Sequence, residues 1–122
     1  LVNRTNHRWW MPTIDLTRLT AFCTGDRTRM ERYIRAYMDA QPDGMAQLKE
    51  MLANGDARGV AVVAHSLRPQ STFMGAEVVL EVLTTIEQHA RSDDLAACAA
   101  PIATLEVLQM AVTAELRAFL DQ

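Results

Sequence analysis

The stretch "AHSLRPQSTFMG" contains a histidine, His65, that stands among small and apolar residues, with Arg68 three positions later. A neutral imidazole carries one nitrogen that can act as a nucleophile, and a neighbouring cation can offset the charge of an anionic group. A carboxylate that accepts a hydrogen bond from Nδ1 would fix the tautomer and leave Nε2 as the nucleophile. Glu87 is a candidate, because His65 precedes and Glu87 follows Gly75 by ten and twelve residues. In an antiparallel helical hairpin that turns near Gly75, the two side chains can face each other.

The helical periodicity around His65 indicates that its side chain faces outward. The core face of this helix would consist of Val60, Val63, Ala64 and Leu67. At about 100° per residue, His65 lies roughly 140° from Val60, on the outward side. The outward neighbours of His65 on its own helix are Ala61, Val62, Arg68, Pro69 and Thr72. On the next helix, the residues beside Glu87 are Leu80, Thr84 and Arg91. Small and apolar residues on an outward face predict a docking surface. The alternative is a surface histidine without a function.

Pro69 follows His65 by four residues and so removes the N–H group that would bond the His65 carbonyl. We expect a bend in the helix just past His65, which would turn His65 and Arg68 toward a partner.

Composition and charge narrow the class of protein. The chain has 122 residues, a length that predicts one domain, and a net charge of −3 argues against nucleic acid as a partner. The sequence lacks an uninterrupted apolar run of the roughly 20 residues that cross a bilayer, so no membrane contact is expected. The start "LVNRTNHRWWMP" has no hydrophobic region typical of a signal peptide. Cys23 and Cys98 are expected to be reduced core residues of a cytoplasmic protein.

The periodicity of the apolar residues predicts an all-α protein, an antiparallel up-down four-helix bundle with a short N-terminal capping helix. Residues 1–12 are interpreted as a linker or extension, and residues 13–122 as the bundle domain. The capping helix would begin after Thr13 or Asp15 and bury Leu16, Leu19 and Phe22. The four main helices would begin at Asp26, Asp56, a point after Gly75, and "RSDD". Because of Pro42, the helix that begins at Asp26 is expected to be either one kinked helix or two short ones. Pro101 is expected either to bend the last helix or to separate its first turn.

With these elements in place, the sequence resembles the histidine phosphotransfer (HPt) domains of multistep two-component signalling. The family pattern is roughly A-H-x-L-K-G, then five residues, then G-A, then a helix that ends L-E/Q-x-x-A-R. The residues that fit are Ala64, His65, Leu67, Gly75, Ala76, Glu87, Ala90 and Arg91, with Ile86 in the leucine position. "IDLTRLTAFCTGD" and "LKEMLANGDARGVAVVAHSL" are similar to the family's upstream segments. The resemblance covers about residues 13–121.

The resemblance implies a role for each of these residues. His65 would accept a phosphoryl group from a receiver-domain aspartate and pass it to another receiver, Arg68 would offset the phosphoryl charge, and Glu87 would bond the imidazole. Gly75 would end the helix that carries His65. The chain would be a phosphocarrier without kinase activity. Its surface for response-regulator receiver domains would consist of Ala61, Val62, Pro69, Thr72, Leu80, Thr84 and Arg91.

The resemblance also has consequences for cofactors and assembly. No cofactor or metal is expected on this chain, because Mg²⁺ would belong to the receiver. We expect a monomer in the cytoplasm, either free-standing or part of a hybrid sensor histidine kinase. The sequence departs from the family in two places. Arg68 stands where the family has a lysine, so a planar guanidinium replaces a point charge. Pro69 stands where the family has a glycine, whose small size lets the partner come close.

Three other interpretations stay open. A metal site would need histidines and carboxylates at i, i+3 or i, i+4 on inward faces, and only His89 and Asp93 have such spacing, without a third ligand. A helical adaptor or dimerisation module would leave His65 incidental. A chemotaxis-kinase-type phosphoacceptor domain would share the bundle and the histidine but would receive its phosphoryl group from a kinase domain.

Overall fold

Five α-helices and one short 3₁₀ turn make up residues 13–122, the part of the chain that the computed structural model describes. The helices are α1 (Thr17–Phe22), α2 (Arg27–Ala53), α3 (Ala57–Phe73), α4 (Glu77–Arg91) and α5 (Ala99–Leu120), and the 3₁₀ turn, Ala96–Cys98, precedes α5. Each long helix packs on the next, and α5 closes the bundle against α2. This confirms the predicted all-α bundle with a short N-terminal helix. The linker predicted for residues 1–12 lies outside the described residues.

The core follows the predicted apolar faces. Its fully buried side chains come from all five helices: Leu19, Ile34, Leu48, Val60, Val79, Leu83, Ile86, Leu105, Val112 and Leu116. Cys23 and Cys98 are both buried and free. Burial, together with the nearby charge of Asp94, raises the pKa of the Cys98 thiol. Phe22 is the exception, because the six-residue α1 leaves half of its side chain exposed where the sequence places it on the core face.

Two prolines lie inside continuous helices. α2 runs as one helix through Pro42, which settles the choice between one helix and two. Pro42 is exposed and has no N–H to donate to the Met38 carbonyl one turn earlier. α3 continues past Pro69 to Phe73. Pro101 lies in the first turn of α5, directly after the separate 3₁₀ turn, as one of the two predicted alternatives has it.

A polar network crosses the middle of the core, and the apolar pattern gave no sign of it. The Tyr37 hydroxyl donates to Oε1 of Gln109 (3.1 Å), whose amide donates to Gln41. The Gln41 amide in turn donates to Oε1 of Gln70 (3.1 Å) on α3. Burial raises the pKa of Tyr37, so its hydroxyl stays a neutral donor. These bonds tie α2, α3 and α5 together through the buried Tyr37, Gln41 and Gln109, and the network ends at Gln70, which is exposed.

The turn between α3 and α4 fixes the hairpin that carries His65 and Glu87. Gly75 has φ +65°, and Ala76 N–H bonds the Ser71 carbonyl (2.9 Å), the pattern of a Schellman helix end. The backbone of Asp15 crosses directly over this turn, with its N–H on the Met74 carbonyl (3.1 Å). A Cβ atom on Gly75 would lie 2.1 Å from the Asp15 carbonyl oxygen. Gly75 is therefore required both by the backbone angle and by the close approach of Asp15.

The last helix is apolar enough to bear on the expectation of no membrane contact, but it does not overturn that expectation. Within residues 13–122, the helical stretch Ala96–Leu120 is long and apolar enough to cross a bilayer by length and composition. The core helix of a soluble bundle meets the same criteria, although only 28% of the most apolar part of this stretch is buried. The helix therefore has an apolar core face and an outward face that is also poor in charge.

We predict that Gly75→Ala destabilises the bundle more than Gly55→Ala. Both glycines have positive φ, but a Cβ on Gly55 would meet nothing within 4 Å. Gly55→Ala should lower the free energy of unfolding by about 1–2 kcal/mol, the penalty for a left-handed alanine. Gly75→Ala adds the clash with Asp15, and urea unfolding of the two variants measures the difference. Equal losses would mean that Asp15 yields without strain and that the turn is not fixed by this contact.

Candidate functional site

His65 lies in the middle of α3 with 62% of its side chain exposed. Its Nδ1 atom is 3.1 Å from Oε2 and 3.3 Å from Oε1 of Glu87, which lies on α4. Within residues 13–122, no hydrogen bond is made by Nε2. The structure thus brings together the histidine and the carboxylate that the hairpin spacing predicts to face each other. The ring is held at one nitrogen and open at the other.

Glu87 is the most enclosed charged group of the site. Only 8% of its side chain is exposed, although the sequence places it beside Leu80, Thr84 and Arg91 on the predicted docking surface. Arg91 donates to Oε2 from both Nε (2.9 Å) and Nη2 (2.7 Å), and Arg68 donates from Nη1 to Oε1 (3.1 Å). The three side chains that bond Glu87 also cover it, which explains why it is more buried than its position on the helix suggests.

The protonation of Glu87 follows from these contacts. Burial raises the pKa of its carboxyl, but the hydrogen bonds from Arg91 and Arg68 and the charge of His65 lower it by more. The net pKa lies below the ordinary value of a glutamic acid. Glu87 is therefore an anion at neutral pH and can only accept hydrogen bonds, so a neutral His65 must carry its proton on Nδ1 to bond it.

Arg68 is bonded to the same carboxylate as His65. Its Nε atom is buried and has no hydrogen-bond partner in the part of the chain that the structure describes. A buried N–H without a partner costs free energy because its desolvation is not compensated. The Arg68 side chain is 38% exposed, so an acceptor on the solvent side could compete with Glu87 for its guanidinium.

The outward residues predicted around His65 occupy different environments. Val62 is 59% exposed and Pro69 is also exposed, whereas Thr72, Leu80 and Thr84 are partly buried. The hydroxyl groups of Thr72 and Thr84 donate to carbonyls of their own helices, Arg68 (3.1 Å) and Leu80 (2.9 Å). The guanidinium of Arg91 is exposed at its edge and paired with Glu87. These residues form a largely apolar face around His65.

Ala61 is a correction to that prediction. It is only 5% exposed and belongs to the core. α3 packs against both α2 and α4. Its buried face is therefore wider than the core face of four residues that the sequence predicts. Ala61 therefore cannot contact a partner.

Sequence reasoning missed an aromatic cluster at the end of the bundle near Gly75. Phe22, Tyr33 and Phe73 pack edge to face, with ring centroids 4.9–5.9 Å apart. Phe73 lies two turns after His65 on α3, and Phe22 and Tyr33 are exposed. The three residues come from three helices, so no local spacing in the sequence could have joined them.

The residues that the structure describes contain no set of ligands for the metal site considered as an alternative. No group of three or more His, Cys, Asp or Glu side chains there is placed to hold an ion. His89 is partly buried near the end of α4, and Asp93 follows that helix in a left-handed conformation.

We predict that Glu87→Gln destabilises the bundle at neutral pH and that the loss shrinks in acid. The folded-state pKa of Glu87 is lowered, so its stabilising contribution is present above the unfolded value of about 4.3 and is lost as the pH falls through the folded value. Loss of the charge-assisted hydrogen bonds should lower the free energy of unfolding by about 1–3 kcal/mol at pH 7. Urea unfolding from pH 7 to pH 3 measures the gap between the two proteins. Glu31→Gln is the control, because its pair with Arg27 is partly exposed and should matter little. A gap that is independent of pH would contradict an ionised Glu87.

Comparison with known proteins identifies a solved structure with a similar fold. No family model matches the chain, and no curated protein matches it either. The crystal structure of histidine-containing phosphotransfer protein B (HptB) from Pseudomonas aeruginosa PAO1 superposes with a TM-score of 0.82. The two sequences are 21% identical, and the match covers 88% of this chain and 94% of that chain. The chain therefore has the fold of a histidine-containing phosphotransfer protein, as its resemblance to HPt domains implies.

Proposed function

We propose that this chain is an HPt phosphocarrier that accepts a phosphoryl group on His65 from a receiver-domain aspartate and passes it to another receiver. The observation that carries the proposal is the bond between His65 Nδ1 and the buried carboxylate of Glu87, on an exposed ring in a bundle with the fold of HptB. A histidine without a function would have no need of a buried anion with two arginines around it.

The geometry supports the following chemistry. With its proton on Nδ1, His65 attacks phosphorus through the lone pair of Nε2. The N–P bond forms as the bond between phosphorus and the aspartyl oxygen breaks, and the aspartate leaves as a carboxylate. The ring then carries positive charge, which the anion of Glu87 stabilises through the Nδ1–H bond. Reversal of these steps on a second receiver returns the histidine to its neutral form.

The site itself needs few other groups, because phosphoryl transfer depends mainly on positioning and charge stabilisation. In this proposal the receiver supplies Mg²⁺, and the chain supplies the nucleophile and the surface around it. Arg91 holds Glu87 through two N–H groups, and Arg68 exchanges Glu87 for the phosphoryl oxygens after transfer. The planar guanidinium of Arg68 can bond two oxygens through parallel N–H groups, whereas a lysine in its place would act as a point charge.

The receiver would dock on the face formed by Val62, Pro69, Thr72, Leu80 and Thr84. Val62 is the large exposed apolar side chain of this face, and Pro69 adds apolar surface without an N–H group. The bend that we predicted at Pro69 would tilt this surface toward the receiver. Such a protein acts in the cytoplasm, alone or as part of a hybrid sensor histidine kinase, and has no kinase activity of its own.

We predict that a phosphorylated receiver labels the chain and that His65→Gln abolishes the label. The bond should be stable in base and labile in acid, as a phosphoramidate is. His89→Gln, on α4, is the matched control and should be labelled like the wild type. A label that survives His65→Gln would exclude the proposal, and a chain that only a kinase domain can label would favour the chemotaxis-kinase-type alternative. A chain that neither labels would be an adaptor.

We predict that Glu87→Ala slows transfer by about 10- to 100-fold, the usual loss when the group that orients a histidine is removed. Glu87→Gln should retain part of the rate, because its amide oxygen still accepts a hydrogen bond from Nδ1. Single-turnover transfer from a labelled receiver measures both rates, and circular dichroism confirms that the variants remain helical. Wild-type rates in Glu87→Ala would remove Glu87 from the site.

A further inference from the structure

The described part of the chain begins against α5. The backbone N–H and the hydroxyl of Thr13 both donate to Oε2 of Glu115, at 2.6 Å each. Two residues later, the Asp15 N–H bonds the Met74 carbonyl at the turn between α3 and α4 (3.1 Å). The chain thus crosses from α5 to the α3–α4 turn at this end of the bundle. The peptide bond that precedes Thr13 therefore lies beside Glu115, and the sequence before it starts from the surface of α5.

The surface of α5 that borders Glu115 is apolar. Its large side chains are Val107 (66% exposed) and Met110 (69% exposed). Alanines surround them at the positions that share their side of the helix: Ala100, Ala103, Ala111, Ala114 and Ala118. At about 100° per residue, these positions span roughly 100° of the helix surface, and Glu115 lies about 40° beyond Ala111. No charged residue of α5 falls within this span, which we call the α5 outward face.

A groove between α2 and α5 adjoins the far edge of the α5 outward face. It has a volume of about 1020 Å³, and its apolar lining includes Met38, Met45 and Met110. Its charged lining has both signs, and one acidic and one basic residue there pair with each other (Lys49 with Glu106): Arg35, Asp39, Lys49, Glu106 and Arg117. Such a rim gives little preference for a cation or an anion, whereas methionine sulfur makes favourable contacts with aromatic rings. The face and the groove are therefore suited to an aromatic occupant.

The sequence that leads into the anchored threonine carries two such rings. It reads LVNRTNHRWWMP, and Trp9 and Trp10 are the only tryptophans of the chain. Trp10 is three residues from that threonine, and three residues of extended chain span at most about 11 Å. At about 1.5 Å per residue along the helix, Met110 lies about 7.5 Å and Val107 about 12 Å from Glu115. Both tryptophans are therefore within reach of the large side chains of the α5 outward face.

We propose that residues 1–12 form a strap that binds across the α5 outward face, with the indoles of Trp9 and Trp10 packed on Val107 and Met110. The strap covers the apolar surface that the bundle leaves exposed on this helix. α5 packs on α4 and α2 and lies diagonally from α3, so the strap leaves the docking face of the α3–α4 hairpin open. The inference does not depend on the proposed function, and it gives the predicted linker a structural role.

Two observations favour the strap over a second copy of the chain or a membrane. The bonds between Thr13 and Glu115 tether the segment at the edge of the face, and a short tether gives an effective concentration in the millimolar range, which a free partner at micromolar concentration does not reach. The segment also has two arginines and no acidic residue, whereas the rest of the chain has more acidic than basic residues. Attraction between the two therefore adds to the apolar contact.

Tryptophan fluorescence of the full 122-residue chain reports on the strap directly, because both tryptophans lie in it. In the folded wild type we expect emission that is blue-shifted from that of the urea-unfolded chain, and acrylamide quenching that is lower by at least about twofold, because packed indoles are shielded from water. Val107→Glu should move both readings most of the way to the unfolded values. Val62→Glu is the matched control, because Val62 is similarly exposed (59%) but lies on α3, and it should behave like the wild type. Wild-type emission at the unfolded position, or a blue shift that Val107→Glu leaves unchanged, would overturn the proposal.

Two further measurements separate the strap from other occupants. The blue shift should be the same from about 1 to 100 µM protein and in the absence of lipid, because the strap belongs to the same chain. A shift that grows with concentration would assign the face to a second copy, and a shift that requires vesicles of phosphatidylglycerol and phosphatidylcholine would assign it to a membrane; either result would overturn the strap.

A double-mutant cycle tests the contact with variants that keep the helix intact. Trp10→Ala and Met110→Ala should each lower the urea midpoint of unfolding, and the double variant should lose less than the sum, because the two side chains share one contact. Circular dichroism confirms that all variants remain helical. Losses that simply add, or no loss in either single variant, would overturn the proposed contact. Labelling of His65 by a receiver does not use this face and should persist in all of these variants.

Discussion

The buried carboxylate of Glu87 is the interaction on which the site depends. An anion with so little exposure is stable only if donors surround it, and Arg68, Arg91 and His65 supply them. Because the arginines keep Glu87 ionised, Glu87 can only accept a hydrogen bond, and this dictates which nitrogen of His65 carries the proton. The arginines thus act on the nucleophile through the carboxylate that they share with it.

This arrangement requires that α3 and α4 hold a fixed register. The turn at Gly75 sets it, and the Asp15 backbone above the turn leaves no room for another residue. The core side chains of the two helices then hold His65 and Glu87 within hydrogen-bonding distance over a separation of 22 residues. α1, although short, has a structural task here, since the segment that leads into it covers the turn. The remaining helices provide the rigid support against which the hairpin packs.

Much of this fold follows from local patterns. Glycines and aspartates marked the ends of the helices, and apolar spacing identified their buried faces, because both signals arise from neighbours along the chain. What the sequence did not reveal depends on contacts between distant helices. Ala61 is buried because α3 has two neighbours, and the aromatic cluster of Phe22, Tyr33 and Phe73 joins three helices. Hairpin symmetry predicted the pairing of His65 with Glu87, but not that Arg68 would bond the same carboxylate.

The central claim is that Glu87 fixes the tautomer of a neutral His65. Long-range ¹H–¹⁵N correlation spectra of the ¹⁵N-labelled protein, recorded at a pH where the ring is neutral, distinguish a protonated nitrogen from one with a free lone pair. We expect Nδ1 to be protonated and Nε2 to be free in the wild type, with the preference lost in Glu87→Ala. A neutral His65 with its proton on Nε2 in the wild type would contradict the account.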